Sequence, residues 1–401
     1  MFLTDSIFLT PLQFRQMSGR SGRRGFDSIG NVVFLMIPQF KVARLLMSAL
    51  PDLSGHFPLN SSLVLRSLLY LTQCSKEKED EKFAKSVVSG LVSESLFCLG
   101  QEHLTKTVSH HLRISVAFLQ QLGMIDQFGN LIDLAGIALH LFWSEPSNFL
   151  LAYLLREGVF HNICKNADKE QVMLDIIHLM AHLFERVDVP QVSQSKDGST
   201  INITLKPLES NIQEKMQIFD DLAFDVYVKY CKAYSIYYSI SECVLPISKI
   251  SYSLKKKDLS KELNLDRIDF HARSPFSALS GRGDEFSSVI DLSRNLRSDI
   301  FIDMFSIPIF DIKKKMVPKN SYLLDFFKHG QIVAIERDNR IRSGVSWQTL
   351  KTFDLVLQTI VVSLKQRDAE MNDPRDKNVI EGFESASNRF SEYFQNIGSL
   401  H

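Results

Sequence analysis

The chain has 401 residues, 45% of them apolar and 23% charged, which is the composition of folded globular protein and excludes a disordered or collagen-like chain. At roughly 150 residues per domain it has room for two or three domains. Its 46 basic and 46 acidic side chains cancel, so a strongly basic nucleic-acid-coating tail and an acidic mimic are both excluded at the level of the whole chain.

The five cysteines (Cys74, Cys98, Cys164, Cys231 and Cys243) form no C-x-x-C pair and are odd in number. They read as reduced thiols of a cytoplasmic chain, without a disulfide framework or zinc ribbon. No apolar run approaches the roughly 18 residues of a membrane span. The stretch Met1 to Asp5 has no basic region ahead of its apolar residues, so it does not read as a secretory signal. Asn60-Ser61-Ser62 and Asn202-Ile203-Thr204 are then chance matches to a glycosylation pattern.

In chain order, Pro11 opens a short helix, as proline does at a first helical position. Asn31 to Ile37, a β-branched run between Gly30 and Pro38, predicts a buried strand. One helix and one strand make an incomplete α/β unit, so residues 1–40 read as the end of a domain whose earlier strands are absent.

Residues 41–143 carry a different pattern. Leu63, Leu65, Leu68, Leu69 and Leu71 predict one helix. Phe83, Val87, Leu91 and Leu96 predict a second, and Val108, Leu112, Val116, Leu119 and Leu122 a third. Two short apolar runs around Gly129-Asn130, within Met124 to Ile132, signal a hairpin. Three helices followed by a hairpin is the order of a winged helix. His110-His111 marks the start of the third helix, with Lys106 just before it and Arg113 within it.

Residues 144–245 read as a helical domain. Val172, Ile176, Leu179, Leu183 and Val187 form an apolar stripe. Turn chemistry at Ser195 to Thr200 and a strand-like alternation at Ile201 to Leu205 interrupt it. Ile218, Leu222, Phe224 and Val228 resume helical spacing. Residues 246–310 are a connecting region with Lys255-Lys256-Lys257, and Arg282-Gly283-Asp284 there is a coincidental adhesion tripeptide.

Residues 311–401 return to helix, with Trp347, Leu350, Phe353, Leu357, Ile360 and Leu364 on one face. A polar break at 368–378 precedes a last helix around Phe383, Phe390 and Phe394. The lysine triplets 255–257 and 313–315 read as solvated charge runs. His178 and His182 have metal-ligand spacing, but residue 179 is leucine and no third ligand is evident, so they read as a polar flank and no metal is expected.

The segment that carries chemistry runs from Gln16 to Gly25. On a helix Gln16, Arg20 and Arg23 share a face, and Gly19 and Gly22 keep the backbone approachable. Guanidinium forks match phosphate oxygens, and arginines aimed at a γ-phosphate stabilise transition-state charge. The pattern Q-x-x-G-R-x-G-R matches the sixth motif of superfamily-two helicases. With Phe26 to Gly30 after it, the segment resembles the superkiller-type DExD/H-box RNA helicases. The resemblance implies that Gln16, Gly19, Arg20, Gly22 and Arg23 face ATP across a cleft between two RecA-like domains, with Arg20 and Arg23 in the catalytic role. Ser21 stands where alanine is common in that family.

Leu50 to Leu53 and Phe57 to Leu65 resemble the lead-in to the winged helix that follows the motor. Arg273 to Gly281 and Leu324 to Gly330 resemble the C-terminal region of the DExD/H-box helicase 60-like group, whose vertebrate members are antiviral.

The expected architecture is therefore mainly α: a truncated remnant of a second RecA-like α/β domain, then a winged helix, a helical domain and a C-terminal helical region. The chain departs from the family in having neither a G-x-x-x-x-G-K-[ST] phosphate loop nor a D-E-x-[DH] box. ATP and Mg²⁺ are thus expected with the full motor and not with this chain alone, which is predicted inactive as an ATPase. RNA, the missing N-terminal RecA-like domains and innate-immune signalling proteins are the implied partners, and no membrane. One reading is the C-terminal portion of an ATP-dependent RNA helicase; the other is a non-catalytic RNA-binding or scaffold module.

Overall fold

The computed structural model describes residues 10–22, 25–27, 29–50, 60–74, 78–96, 98–99, 102–185, 187, 203–237, 319–371 and 376–398. Arg23, the lysine triplets, the 195–200 turn, the 273–284 stretch and the 246–310 connection lie outside them. The chain divides into two compact units, Met1–His56 and Phe57–His401.

The first unit holds α1 (Pro11–Ser18) and α2 (Gln39–Met47), which pack together. Thr10 starts α1 through a capping box: its hydroxyl accepts the Gln13 N–H, and the Gln13 side chain accepts the Thr10 N–H at 2.9 Å. Phe14, the buried residue of α1, stacks on Phe34 at 5.7 Å.

The strand expected at Asn31 to Ile37 does not form. Val33, Leu35 and Met36 are 84%, 79% and 95% exposed, and Met36 has φ +55°. A strand is held by its ladder, and the described residues of this unit offer no second strand to pair with.

The second unit is helical. The three predicted helices of the winged helix are α3 (Ser61–Cys74), α4 (Lys78–Ser93) and α5 (Glu102–Gln121). His110-His111 therefore falls inside α5, not at its start, and Lys106 lies within it. Leu96 lies beyond α4, and the buried edge of that helix is Ala84 with Val88 and Val92, because Phe83, Val87 and Leu91 are largely exposed.

The predicted hairpin is a compact wing. Ile125 bridges Leu131, and Asp126 and Asn130 are joined by a backbone bond of 2.9 Å. Asp126 organises the turn, accepting the Phe128 and Asn130 N–H groups at 2.8 and 2.9 Å and the Asn130 amide at 2.9 Å. The Asn130 side chain foremost holds the Asp126 carboxyl below the usual carboxylate range. Gly129 supplies the φ of +87° that the turn requires.

The chain continues through α6 (Ala135–His140), a 3₁₀ turn (Phe142–Ser144), α7 (Ser147–Arg156), α8 (Val159–Ile163), α9 (Lys169–Phe184) and α10 (Ser210–Tyr237). α11 (Tyr322–His329), α12 (Ile332–Asp338), α13 (Ser343–Met371) and α14 (Asp376–Gly398) complete it. Val172, Ile176, Leu179 and Leu183 of α9 are buried as expected. In α10 the buried stripe is Ile212, Met216, Phe219, Ala223 and Val226, and Ile218 points outward.

α13 and α14 form an antiparallel pair whose seam includes Phe353, Leu357, Phe383 and Phe390, and α14 also packs on α8 and α9. The strand-like residues 203–205 run antiparallel to 319–321, with Leu205 N–H on the Lys319 carbonyl and Ser321 N–H on the Ile203 carbonyl, both 2.8 Å. One apolar core extends from Val64 in α3 to Ile397 in α14.

Candidate functional site

The Gln16–Gly25 segment does not form the single helical face its spacing predicts. α1 ends at Ser18 with Gly19 as its cap, and the chain then turns through Arg20 N–H to the Met17 carbonyl and Ser21 N–H to the Ser18 carbonyl. Gln16 is exposed on the helix, Arg20 is exposed in the turn beyond it, and Arg23 lies outside the described residues. The glycine spacing has a concrete use: a Cβ on Gly30 would fall 2.3 Å from the Ser21 Oγ, and Gly22 lies against Gly30. The loop thus folds onto Gly30 with the Arg20 guanidinium outward.

A phosphate edge fits an exposed guanidinium beside an exposed amide. Among the described residues no group of three or more His, Cys, Asp or Glu is placed to hold a metal ion.

The winged helix faces inward through its third helix. Phe118 of α5 is fully buried and meets Phe149 of α7 at 5.9 Å and Phe219 of α10 at 6.1 Å, both edge to face. Ile114, Leu119 and Leu122 join the same core, while Arg113 is exposed. α3 is fastened to the segment beyond the wing by Glu145, whose carboxylate accepts the Ser61 and Ser62 N–H groups at 2.9 and 2.8 Å. The Asn148 amide bonds the Ser62 hydroxyl and the Ala138 carbonyl at 3.1 and 2.9 Å.

A cavity of 570 Å³ opens where the base of the wing meets α7, α8, α13 and α14. Arg367 spans it, bonding Asp133 at 3.0 Å on one side and Asp376 on the other, and His161 Nε2 meets Asp376 at 2.9 Å. Its charges chiefly satisfy one another, so it serves as an ion-paired junction between the wing, α8 and the C-terminal helices. No periodicity or motif marks these residues in the sequence.

The His178–His182 pair is likewise committed. Both Nε2 atoms lie 2.8 Å from the Lys206 carbonyl, with the rings 5.0 Å apart. Each ring therefore holds its proton on Nε2 toward that carbonyl, and neither Nε2 is available to a metal. Cys164, another residue with potential chemistry, is buried, which pushes its thiol up to about 11.

The architecture defines a class: a winged helix continuous with a helical core. Residues 53–139 match the family described as the DDX60-like winged helix domain. The chain is 29% identical, over 99% of its length, to a probable ATP-dependent RNA helicase, DDX60-like, of Homo sapiens, and covers 24% of that protein. It is 26% identical over 91% of its length to an uncharacterized helicase of Caenorhabditis elegans, and 24% identical over 92% to one of Dictyostelium discoideum, covering 21% and 26% of those proteins.

The chain is thus homologous over most of its length to the DDX60-like helicases, and its winged helix is of their type. It spans about a quarter of the length of the relatives it matches.

Proposed function

We propose that this chain is the winged-helix and helical portion of a DDX60-like ATP-dependent RNA helicase, which braces the motor and offers Arg20 and Arg23 to a nucleotide held by other parts of the protein. The observation that carries the bracing role is Phe118. The core-facing side of the third helix buries Phe118 between Phe149 of α7 and Phe219 of α10, which ties the winged helix rigidly to the helices that follow it and supports a bracing role. The arginine role rests on the Q-x-x-G-R-x-G-R match and on the exposure of Arg20. RNA as substrate rests on the name of the human relative, and cytoplasmic antiviral action on the family resemblance.

The test has two arms. The purified chain should show no ATP turnover above background; turnover abolished by Arg23→Ala would overturn the division of labour. The chain should also bind single-stranded RNA with an affinity that Arg113→Glu leaves unchanged. A loss of tenfold or more in that variant would make α5 an RNA-reading helix.

A further inference from the structure

Three lysines from two distant stretches of sequence converge on the histidine pair of α9. Lys206 follows the extended residues 203–205, and its carbonyl receives both imidazoles. Lys319 sits opposite on the antiparallel partner, its Nζ 2.7 Å from the His182 carbonyl. Lys328 projects from the last turn of α11, which packs on α9. The charged groups acting on the two rings are these three lysines and one carboxylate, Asp175. Lys206 and Lys328 are exposed, and among the described residues neither pairs with a carboxylate.

The rings themselves are uncharged at neutral pH. Burial foremost lowers both, and the Lys319 charge adds to it at His182, which falls to about 3. The surface therefore combines lysine cations with two neutral rings that are partly buried beneath them. Cations interleaved with ring faces are what a single strand uses, phosphates on the former and bases on the latter. An acidic peptide would use the cations and leave the rings idle.

We propose that the surface formed by Lys206, Lys319 and Lys328 around His178 and His182 is a contact site for the backbone of single-stranded RNA. The inference rests on the RNA reading above and locates it where α9 and residues 203–206 meet residues 319–328, away from the winged helix's third helix.

The test is binding of a fluorescent 20-nucleotide oligouridylate to the full 401-residue chain, titrated from low to moderate salt. Lys206→Glu with Lys328→Glu should weaken binding about tenfold or more and flatten the log–log salt slope by about 1.4, at roughly 0.7 per phosphate contact on a single strand. The milder Lys206→Gln with Lys328→Gln should act in the same direction, which guards against misfolding of the first variant, and arginine at both positions should restore binding. Glutamate at the exposed Lys377 should have no effect.

Unchanged affinity and slope in both double variants, with RNA still bound, would overturn this site and leave the RNA reading standing. A native chain that binds no RNA would overturn both. Tight binding of polyglutamate that RNA cannot displace would overturn the site in favour of an acidic protein partner.

Discussion

Glu145 closes the first turn of α3 on Ser62: its Oε2 receives the Ser62 N–H at 2.8 Å while Oε1 receives that of Ser61 at 2.9 Å, with the carboxylate 2% exposed. These N–H groups have no partner within the helix, and an anion there also meets the favourable end of the helix dipole. Burial nevertheless outweighs these bonds and raises the Glu145 pKa above the ordinary glutamate value.

Glu145→Ala should cost about 1–3 kcal/mol in denaturant unfolding, since it strands two buried donors. Because the folded pKa is raised, the contribution of Glu145 to stability is greatest at low pH. It declines as pH rises from the ordinary glutamate value to the raised one. Glu145→Gln should remove that slope, which parallel unfolding titrations across this window would reveal.

Arg367 joins two carboxylates from different parts of the unit, Asp133 at the base of the wing and Asp376 at the start of α14. Asp376 is 8% exposed on its side chain and Asp133 is 32% exposed. Arg367→Ala should therefore destabilise by about 2–3 kcal/mol, somewhat below the range for a fully buried pair broken on one side. Asp133→Asn should cost under about 1 kcal/mol. Urea midpoints for the two variants would separate these values.

Gly382 is where α14 presses against α8 and α9. A Cβ there would meet the Ile176 Cδ1 at 2.9 Å, the Cys164 Sγ at 3.2 Å and the Val172 Cγ1 at 3.4 Å. Gly382→Ala should cost about 1–3 kcal/mol by overpacking, despite alanine's better helix propensity. Val172→Ala in the same chain should return part of the loss, read as coupling in a double-mutant cycle.

His182, depressed to about 3 by burial and Lys319, binds its proton far less readily in the folded chain than in the unfolded one. Its contribution to stability is complete above about pH 6.5 and is lost as pH falls from there toward 3. His182→Gln should flatten the drop in thermal midpoint between pH 7 and pH 5. An equal drop in both proteins would show that other groups govern acid sensitivity.

The helices of the second unit were legible because their apolar residues repeat with the helical period: α9 and the α13–α14 pair bury Ile176, Leu357 and Phe390 as the pattern predicts. The wing was legible through Gly129-Asn130. At 31–37 the reading failed, because β-branched composition states a preference whereas a strand needs a neighbour. Phe83, Val87 and Leu91 show a related limit: helical spacing identified α4 but not which edge faces the core. The spacing of Gln16, Arg20 and Arg23 reads as one helical face, but Ser18-Gly19 ends α1 before Arg20, because a glycine cap stops the helix where the spacing alone would continue it. Lys206 and Lys319 carry no linear signal, being joined only by the pairing of 203–205 with 319–321.

The Phe118–Phe149–Phe219 contact erases the seam that the sequence suggests near Trp143. A piece excised at that point would leave a bare aromatic socket on each half, inviting aggregation. The intact second unit should melt in calorimetry as a single endotherm, with the wing and the long helices surrendering their order together.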